Sequence, residues 1–369
     1  MAQTGQKIFN VGVIGYGMSA KIFHIPFITT TPAFKLHSIL QRSPKPESSA
    51  PQDYPNLNHF TSVEPFLADA ALDVVVLSTT PETHFPLAYK SLNAGKHVFV
   101  EKPFVPSSAE ATQLIRLAEE QNLQICVYQN RRWDSDFLTV RKLLSEGTLG
   151  RVYEFETHFD RYRLEKPTSW KGELSISRGG SALYDLGTHL VDQVYVLFGK
   201  PSGVFAKLVT QRDGRVLSKA DPTVEPDGVN MQLFYASGLI VHVRIGVLSA
   251  ETRQPRFWVR GSKGSYHKAG LDPQEDQLKA GMKTSDAQFG RDTEEWHGRL
   301  VTVAENGEAR EEVWPNVEPV TYRGIYEQFG EALKGKGPVP VPASEARDVL
   351  RILEAAKESS MTGREVALP

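Results

Sequence analysis

Phe9-Asn10-Val11-Gly12-Val13-Ile14-Gly15-Tyr16-Gly17-Met18-Ser19-Ala20 decides the fold. The first six residues read as an apolar strand at the start of the chain, and a Gly-x-Gly-x-x-Ala turn follows at once. Gly15 permits a tight turn, Gly17 lets backbone approach a pyrophosphate, and small Ala20 allows a helix to pack closely on the strand. The next segment, Lys21 to Thr29, supplies the first turns of that helix, although Pro26 complicates its pattern. A helix start of this kind offers unpaired N–H groups to phosphate oxygens. Gly15, Tyr16, Gly17, Met18, Ser19 and Ala20 are therefore candidate contacts to a dinucleotide.

Working outward, Leu36 to Leu40 reads as the second strand. An NAD site places Asp or Glu just after it for the ribose 2′-hydroxyl; here Gln41-Arg42-Ser43 follows, with Lys45 close behind. A missing acid beside an arginine favours a 2′-phosphate, hence NADP over NAD, with Arg42 and Ser43 as its contacts. Asp73 to Leu77 is a short buried strand. Thr80 then reads as an N-cap and Pro81 as the first helical residue, so Ser78-Thr79-Thr80-Pro81 is a strand-exit turn on the cofactor edge. His84, on the first turn of that helix, reads equally as a packed residue or as a cofactor contact. His97 to Val100 is another strand, and Glu101-Lys102-Pro103 is its exit turn. Lys102 there can hold a proton near a substrate, and Pro103 cannot prolong the strand. Ser107-x-x-Glu110 is a capping box, and the next strand is Gln124 to Tyr128. This βαβα order predicts a doubly wound parallel α/β domain over residues 1–128.

After Tyr128 the pattern changes. Asn130 to Asp134 opens a helical stretch, and from Arg151 residues alternate with a period of two. Strands are expected at about 203–211, 229–236, 239–248 and 256–260, with loops at 211–227, 249–255 and 334–343. This predicts an α+β domain over 129–369, built on a large, open, mostly antiparallel sheet. A last helix at about 344–360 carries an apolar stripe that is core packing and could lie back on the first domain.

The 369 residues carry 42 Lys and Arg against 44 Asp and Glu. With near-balanced charge and no basic tract interleaved with aromatics, nucleic acid is not an expected partner. No apolar run has the length of a membrane span, and the N-terminus lacks an apolar signal core. The one cysteine, Cys126, lies in an apolar run and reads as a core residue, so a cytoplasmic setting is the default expectation. No Cys/His cluster has metal-ligand spacing, and no metal is expected.

The second chemical feature is Arg178 to Asp192, where Gly179-Gly180 precedes a helical segment with Asp185, His189 and Asp192 at i, i+4, i+7. That spacing puts three polar groups on one face. An Asp–His pair can orient an imidazole and keep it basic, and hydride transfer from a carbinol needs removal of the hydroxyl proton. His189 and Lys102 are the candidates for that role. Asp192, one turn further, reads as structural. An Asp-x-x-x-His also suits a metal, but no third ligand is identifiable.

Together, Gly15-x-Gly17-x-x-Ala20, Glu101-Lys102-Pro103 and Gly179-Gly180…Asp185-x-Gly187-x-His189-x-x-Asp192 resemble the glucose–fructose oxidoreductase / inositol dehydrogenase / rhizopine-catabolism family. The likeness covers essentially the whole chain. Phe23-His24-Ile25-Pro26-Phe27, Asn130 to Leu138, His158-Phe159-Asp160-Arg161 and Gly270 to Glu275 are similar to the branch holding NADP-dependent inositol dehydrogenases. The resemblance implies a Rossmann domain, a C-terminal α/β domain whose open sheet is buried in homodimers or homotetramers, and a Lys–Asp–His site, here Lys102, Asp185 and His189. It implies a polyol or sugar substrate, with Ser78, Thr79, Pro81, His84 and Glu101 along the ribose and nicotinamide. Trp170 falls beside the nicotinamide, and Lys171 departs from the arginine that often follows it. Asn130, Arg161, Tyr162, Arg163, Trp170 and Tyr184 are hydroxyl-binding or stacking types near these motifs, with Asn130, Arg163 and Tyr184 as the substrate candidates. A different class stays open: a dinucleotide-binding sugar sensor or regulator without turnover. Such proteins lose the catalytic positions, whereas Lys102, Asp185 and His189 are all present here.

Overall fold

The apolar run Phe9–Ile14 forms β1, and Phe34–Leu40, Asn58–Phe60, Val74–Leu77, His97–Val100 and Ile125–Val127 form β2 to β6. The structure, a computed structural model, describes residues 7–369, apart from the side chain of Trp170. These six strands form one parallel sheet in the order β3-β2-β1-β4-β5-β6. All four residues of β4 are buried, as expected of a parallel strand covered on both faces. The strand order reverses between β1 and β4. Gly15 and Ser78, just beyond their ends, therefore flank the point where doubly wound sheets take ligands.

The first compact unit runs through Asn130 and also takes in Asp276–Phe289 and Tyr322–Arg347. The helix that joins it is Arg323–Leu333, which the sequence pattern did not predict. Aromatic packing explains its place: Tyr326 stacks on Phe27 and Phe99, with ring centroids 5.7 and 5.0 Å apart, and Phe329 meets Phe99 at 5.4 Å. The helix expected at 344–360 is observed as Ala343–Thr362, and it divides at Arg347/Asp348, with most of its length in the second unit. There the Ser359 and Ser360 hydroxyls accept from Ala206 and Leu208 N–H at 2.9 and 3.0 Å. Cys126 is fully buried in β6.

The second unit comprises Arg131–Glu275, Gly290–Thr321 and Asp348–Pro369. Its sheet contains β7 (Val152–Asp160), β8 (Gly203–Thr210), β9 (Arg215–Val216), β10 (Gly228–Phe234), β11 (Ile240–Gly246), β12 (Pro255–Gly261), β13 (Gly264–Ala269), β14 (Gly298–Val303), β15 (Ala309–Trp314) and β16 (Val366–Ala367). The order is β15-β14-β13-β12-β7-β11-β10-β8-β16, with β9 on β8. Only β7 and β11 pair in parallel; the other pairs are antiparallel. β7 and β11 therefore end together, at Asp160 and Gly246.

Residues 131–140 are all buried although they include Arg131, Arg132, Asp134 and Asp136. Buried charges persist only when paired and hydrogen-bonded. Arg132 grips Asp192 with two bonds of 2.8 and 2.7 Å, Arg131 reaches Asp134 at 3.1 Å, and Arg256 reaches Asp136 at 3.0 Å. Gln193 joins them, giving to Arg131 O at 2.7 Å and accepting from Arg256 at 2.8 Å. Asp192 thus serves the fold, as its position predicted. Arg132→Leu removes the cation from Asp192, and breaking a buried pair in this way costs about 3–5 kcal/mol. Urea denaturation is expected to show a much lower midpoint than wild type, with Asp192→Asn less severe than Arg132→Leu.

Candidate active site

In the first unit the glycine turn is built as its sequence requires. Gly15 has φ +100°, and a Cβ there would stand 2.1 Å from Ser78 O, so only glycine fits. Its N–H gives to Leu40 O at 3.0 Å and Ser78 N–H gives to Ile14 O at 2.9 Å, so the exits of β1, β2 and β4 are laced together. A Cβ on Gly17 would meet nothing within 4 Å, and Met18 is 53% exposed, so open space faces the helix start. The helix opens with a π-turn, Ala20–His24, in which Ile25 N–H reaches back to Ala20 O. That offset turn seats Pro26 at the start of the α-helical segment Ile25–Thr30, where its missing N–H is tolerated. The Ser78 hydroxyl is buried with no hydrogen-bond partner among the described residues. A tight glycine turn, open space above the helix start and an unpartnered buried hydroxyl beside it fit a dinucleotide pyrophosphate.

Arg42 and Ser43 are exposed directly after β2, beside this turn. The Gln41 amide is committed to the backbone, giving to Ser48 O and accepting from Ala50 N–H, both at 2.8 Å. The nearby acid Asp53 accepts from Tyr16 OH at 2.6 Å, with Lys21 at 3.9 Å. Burial and that carboxylate push the Tyr16 hydroxyl pKa well up, keeping it a donor.

Glu101 is the node of the unit. Its carboxylate accepts from the Ser19 hydroxyl, meets His24 Nε2 at 3.1 Å, and receives Lys102 N–H at 3.1 Å. His24 is fully buried, and its Nδ1 lies 2.7 Å from Tyr326 OH, which gives to Phe23 O at 3.0 Å. Burial pushes the Glu101 carboxyl up, but His24, Ser19 and Lys102 together outweigh it and hold the group below its ordinary value. The Lys102–Pro103 peptide is cis. His84 is fully buried, with Nδ1 2.9 Å from Pro103 O and Nε2 3.1 Å from Thr79 O. Burial pulls its pKa down, against the carbonyls of Pro103 and Thr79, and the ring lies between the turns at 78–81 and 101–103. Thr79 accepts from Thr83 OH at 2.7 Å, and Pro81 starts the helix as expected.

In the second unit a Cβ on Gly180 would stand 1.9 Å from Leu174 O, and Ser181 has φ +73°. Such a backbone at the entrance to a polar helix is typical of functional sites. Leu183–Gly187 is again a π-turn, leading into the helix Thr188–Phe198. Asp185 and His189 are both buried, at 8% and 7% exposure. Asp185 forms an ion pair with Lys171 at 3.0 Å. Tyr184 is buried, and burial and the charge of Glu354 push its hydroxyl pKa up. Arg163 is exposed, whereas Arg161 is half-buried and interacts with the Asp185 charge. Asn130 is buried and ends the first segment of the first unit. The side chain of Trp170, expected beside the nicotinamide, lies outside what the structure describes. The structure thus brings Gly15, Ser78, Glu101 and Lys102 to one edge of the first unit, and Arg161, Lys171 and Asp185 into one group in the second. Sequence reasoning missed the positioning role of His24. Its only signal was a histidine on the same helix as the glycine turn, with its partners 77 and 302 residues away.

A fold of this kind carrying these motifs defines a nicotinamide-dinucleotide oxidoreductase. Residues 9–129 match the oxidoreductase family's NAD-binding Rossmann fold, and residues 141–368 match its C-terminal alpha/beta domain. The chain belongs to the glucose–fructose oxidoreductase / inositol dehydrogenase / rhizopine-catabolism family. It is 39% identical to the uncharacterized oxidoreductase C115.03 of Schizosaccharomyces pombe, over 96% of this chain and 98% of that one. It is 33% identical to the scyllo-inositol 2-dehydrogenase (NADP(+)) IolW of Bacillus subtilis, over 97% and 95%. Among solved structures, yvaA from Bacillus subtilis superposes with a TM-score of 0.90 at 32% identity, over 99% of both chains. An oxidoreductase from Bacillus cereus gives 0.86 at 29%, over 98% and 99%. Among the described residues no helix is long and apolar enough to cross a membrane, and no group of three or more His, Cys, Asp or Glu is arranged to hold a metal ion.

Two outcomes test the first unit. Gly15→Ala strains the turn against Ser78 O, and binding of the reduced dinucleotide, NADH or NADPH, is expected to weaken about tenfold or more, read by fluorescence titration. The lowered Glu101 pKa makes a second prediction. The folded state binds this proton more weakly than the unfolded chain, so the stability it contributes is complete above the ordinary value of 4.5 and is lost as pH falls below it. Urea midpoints through that range should fall less steeply for Glu101→Gln than for wild type.

Proposed function

We propose that the chain is an NADP-dependent oxidoreductase that moves a hydride between nicotinamide and the carbinol or carbonyl carbon of a cyclic polyol or sugar. The observation that carries this reading is the Glu101 node, which locks the Lys102 turn to the helix of the dinucleotide motif. The likeness to a scyllo-inositol 2-dehydrogenase (NADP(+)) supports both the cofactor and the substrate class.

Arg42 and Ser43 hold the 2′-phosphate. Gln41 stands directly after β2 where an NAD site carries Asp or Glu, and its amide is bound to Ser48 O and Ala50 N–H, which supports NADP over NAD. Gly15–Ala20 bind the pyrophosphate, and Ser78, Thr79 and Pro81 line the ribose side. Bound nicotinamide supplies or accepts the hydride. His189 takes the hydroxyl proton on oxidation and returns it on reduction. Lys102 hydrogen-bonds the reacting oxygen and shares that proton. Asp185 positions the substrate or His189, with its charge balanced by Lys171.

Lys102→Met and His189→Gln are each expected to lower turnover about 10²–10⁴-fold while NADPH still binds. Full turnover in either variant removes that residue from the mechanism. Arg42→Ala is expected to weaken NADPH about 10–100-fold, the usual worth of a hydrogen-bonded charge contact, with little effect on NADH. The founding assay is absorbance at 340 nm with NADP⁺ or NAD⁺ against inositols, aldoses and polyols. Silence across the panel with intact NADPH binding would move the reading to a dinucleotide-dependent sensor or to a substrate outside this panel.

A further inference from the structure

One cation of the second unit is not used by the fold. Arg161 directly follows β7, and its backbone is held on both sides, giving N–H to Gly246 O at 2.9 Å and accepting from Ser249 N–H at 3.0 Å. The residue cannot swing away with a loop. Its guanidinium stands over the Phe159 ring, 5.1 Å from the centroid, and Arg131 stands 5.0 Å from that same ring. Arg131 is paired with Asp134 at 3.1 Å and Glu275 at 2.5 Å. Arg161 is half-buried, and among the described residues its guanidinium enters no hydrogen bond or ion pair. Burial pulls its pKa below the ordinary value, against the pull of Asp185. Asp185 is itself neutralised by Lys171 at 3.0 Å.

Arg161 itself has no ion-pair partner among the described residues, while Asp185 is paired with Lys171. Its five N–H donors form a planar fork that is held against the Phe159 ring and bound to no protein group among the described residues, so a ligand can take them. Neutral hydroxyls satisfy donors but not the charge. A carboxylate does both, and in bidentate geometry. A phosphomonoester carries about 1.5–2 negative charges, more than one spare guanidinium matches.

We propose that Arg161 is the anchor for a carboxylate on the substrate, so that the preferred substrate is a sugar acid or other polyhydroxy acid rather than a neutral polyol. This rests on the reading of the Asp185–His189 helix as the reacting site, and it narrows the substrate class of that site. Arg161 acts on specificity, through affinity for the acid, and not on the proton transfer itself.

The test uses the full chain with NADP⁺ and matched pairs: an aldose with its uronic acid, a polyol with its aldonic acid, and an aldose with its 6-phosphate. Binding of the same compounds to the NADPH complex, by calorimetry, gives a readout independent of turnover. The acid is expected to exceed its neutral partner at least about tenfold in kcat/KM. Arg161→Gln is expected to cut the acid's kcat/KM about 10–100-fold, chiefly through KM, bringing the acid-to-neutral ratio towards one. Arg161→Lys should recover part of the loss, and circular dichroism checks that both variants fold. Turnover without acid preference, or equal losses for acid and neutral compounds in Arg161→Gln, overturns the anchor while leaving the oxidoreductase reading intact. Preference for the phosphate with the same dependence on Arg161 overturns the carboxylate. Arg161-dependent binding of acids with no turnover of any compound supports the anchor and overturns the oxidoreductase reading.

Discussion

One buried carboxylate organises the dinucleotide-binding unit. Glu101 sits where β5 ends, and its two oxygens gather a hydroxyl and an imidazole from the helix after the glycine turn and an N–H from its own turn. A buried carboxylate is tolerable only if such donors replace water. The same bonds that stabilise it therefore fix the register between the Gly15–Ala20 turn and Lys102. His24 is the member that cannot be spared. It is fully buried, with one nitrogen on Glu101 and the other on Tyr326, and Tyr326 stacks in the aromatic cluster beneath the sheet. The chain of contacts runs from core packing to the Lys102 turn through one imidazole.

His84 repeats the device one strand over. It makes no ion pair of the kind His24 makes, and its two nitrogens face carbonyls of the two exit turns. A sequence shows a histidine on the first turn of a helix in either case. Whether it serves the cofactor or the scaffold depends on what lies opposite, and the carbonyls of Thr79 and Pro103 lie opposite.

The parallel domain was legible because its signals are local. A glycine turn after an apolar strand, Thr80-Pro81 before a helix and Ser107-x-x-Glu110 each announce themselves within a few residues, and each stands as read; the capping box is fully formed. What escaped was non-local. β14 and β15 are largely half-exposed or exposed and carry mixed charge, so they lack the apolar alternation that marked β7 and β11. The helix Arg323–Leu333 is fixed by Phe27 and Phe99, some 300 and 230 residues earlier, as the ring contacts require. In the site, both π-turns alter the helical spacing on which face assignments rest, at the very positions that carry Ser19–His24 and Asp185. Arg161 and Arg163 share a strand parity, and parity cannot choose between them. The end of the β7–β11 ladder chooses, leaving the first against Phe159 and the second in solvent.

The buried charges of the second unit follow the same physics at larger scale. Asp134, Asp136 and Asp272 lie close enough that burial and mutual repulsion raise Asp134 well above its ordinary value and push Asp272 up to about 6. Arg131, Arg132 and Arg256 offset Asp134, Asp192 and Asp136 respectively. Replacing such a network by apolar residues is often neutral or stabilising, so stability alone does not account for it. Its bonds join Arg131–Leu138 to the helix Thr188–Phe198 through Arg132–Asp192 and Gln193, one turn beyond His189. Directional bonds specify the rotation of that helix about its axis more sharply than apolar packing does. The network therefore fixes the rotation of the helix that carries His189.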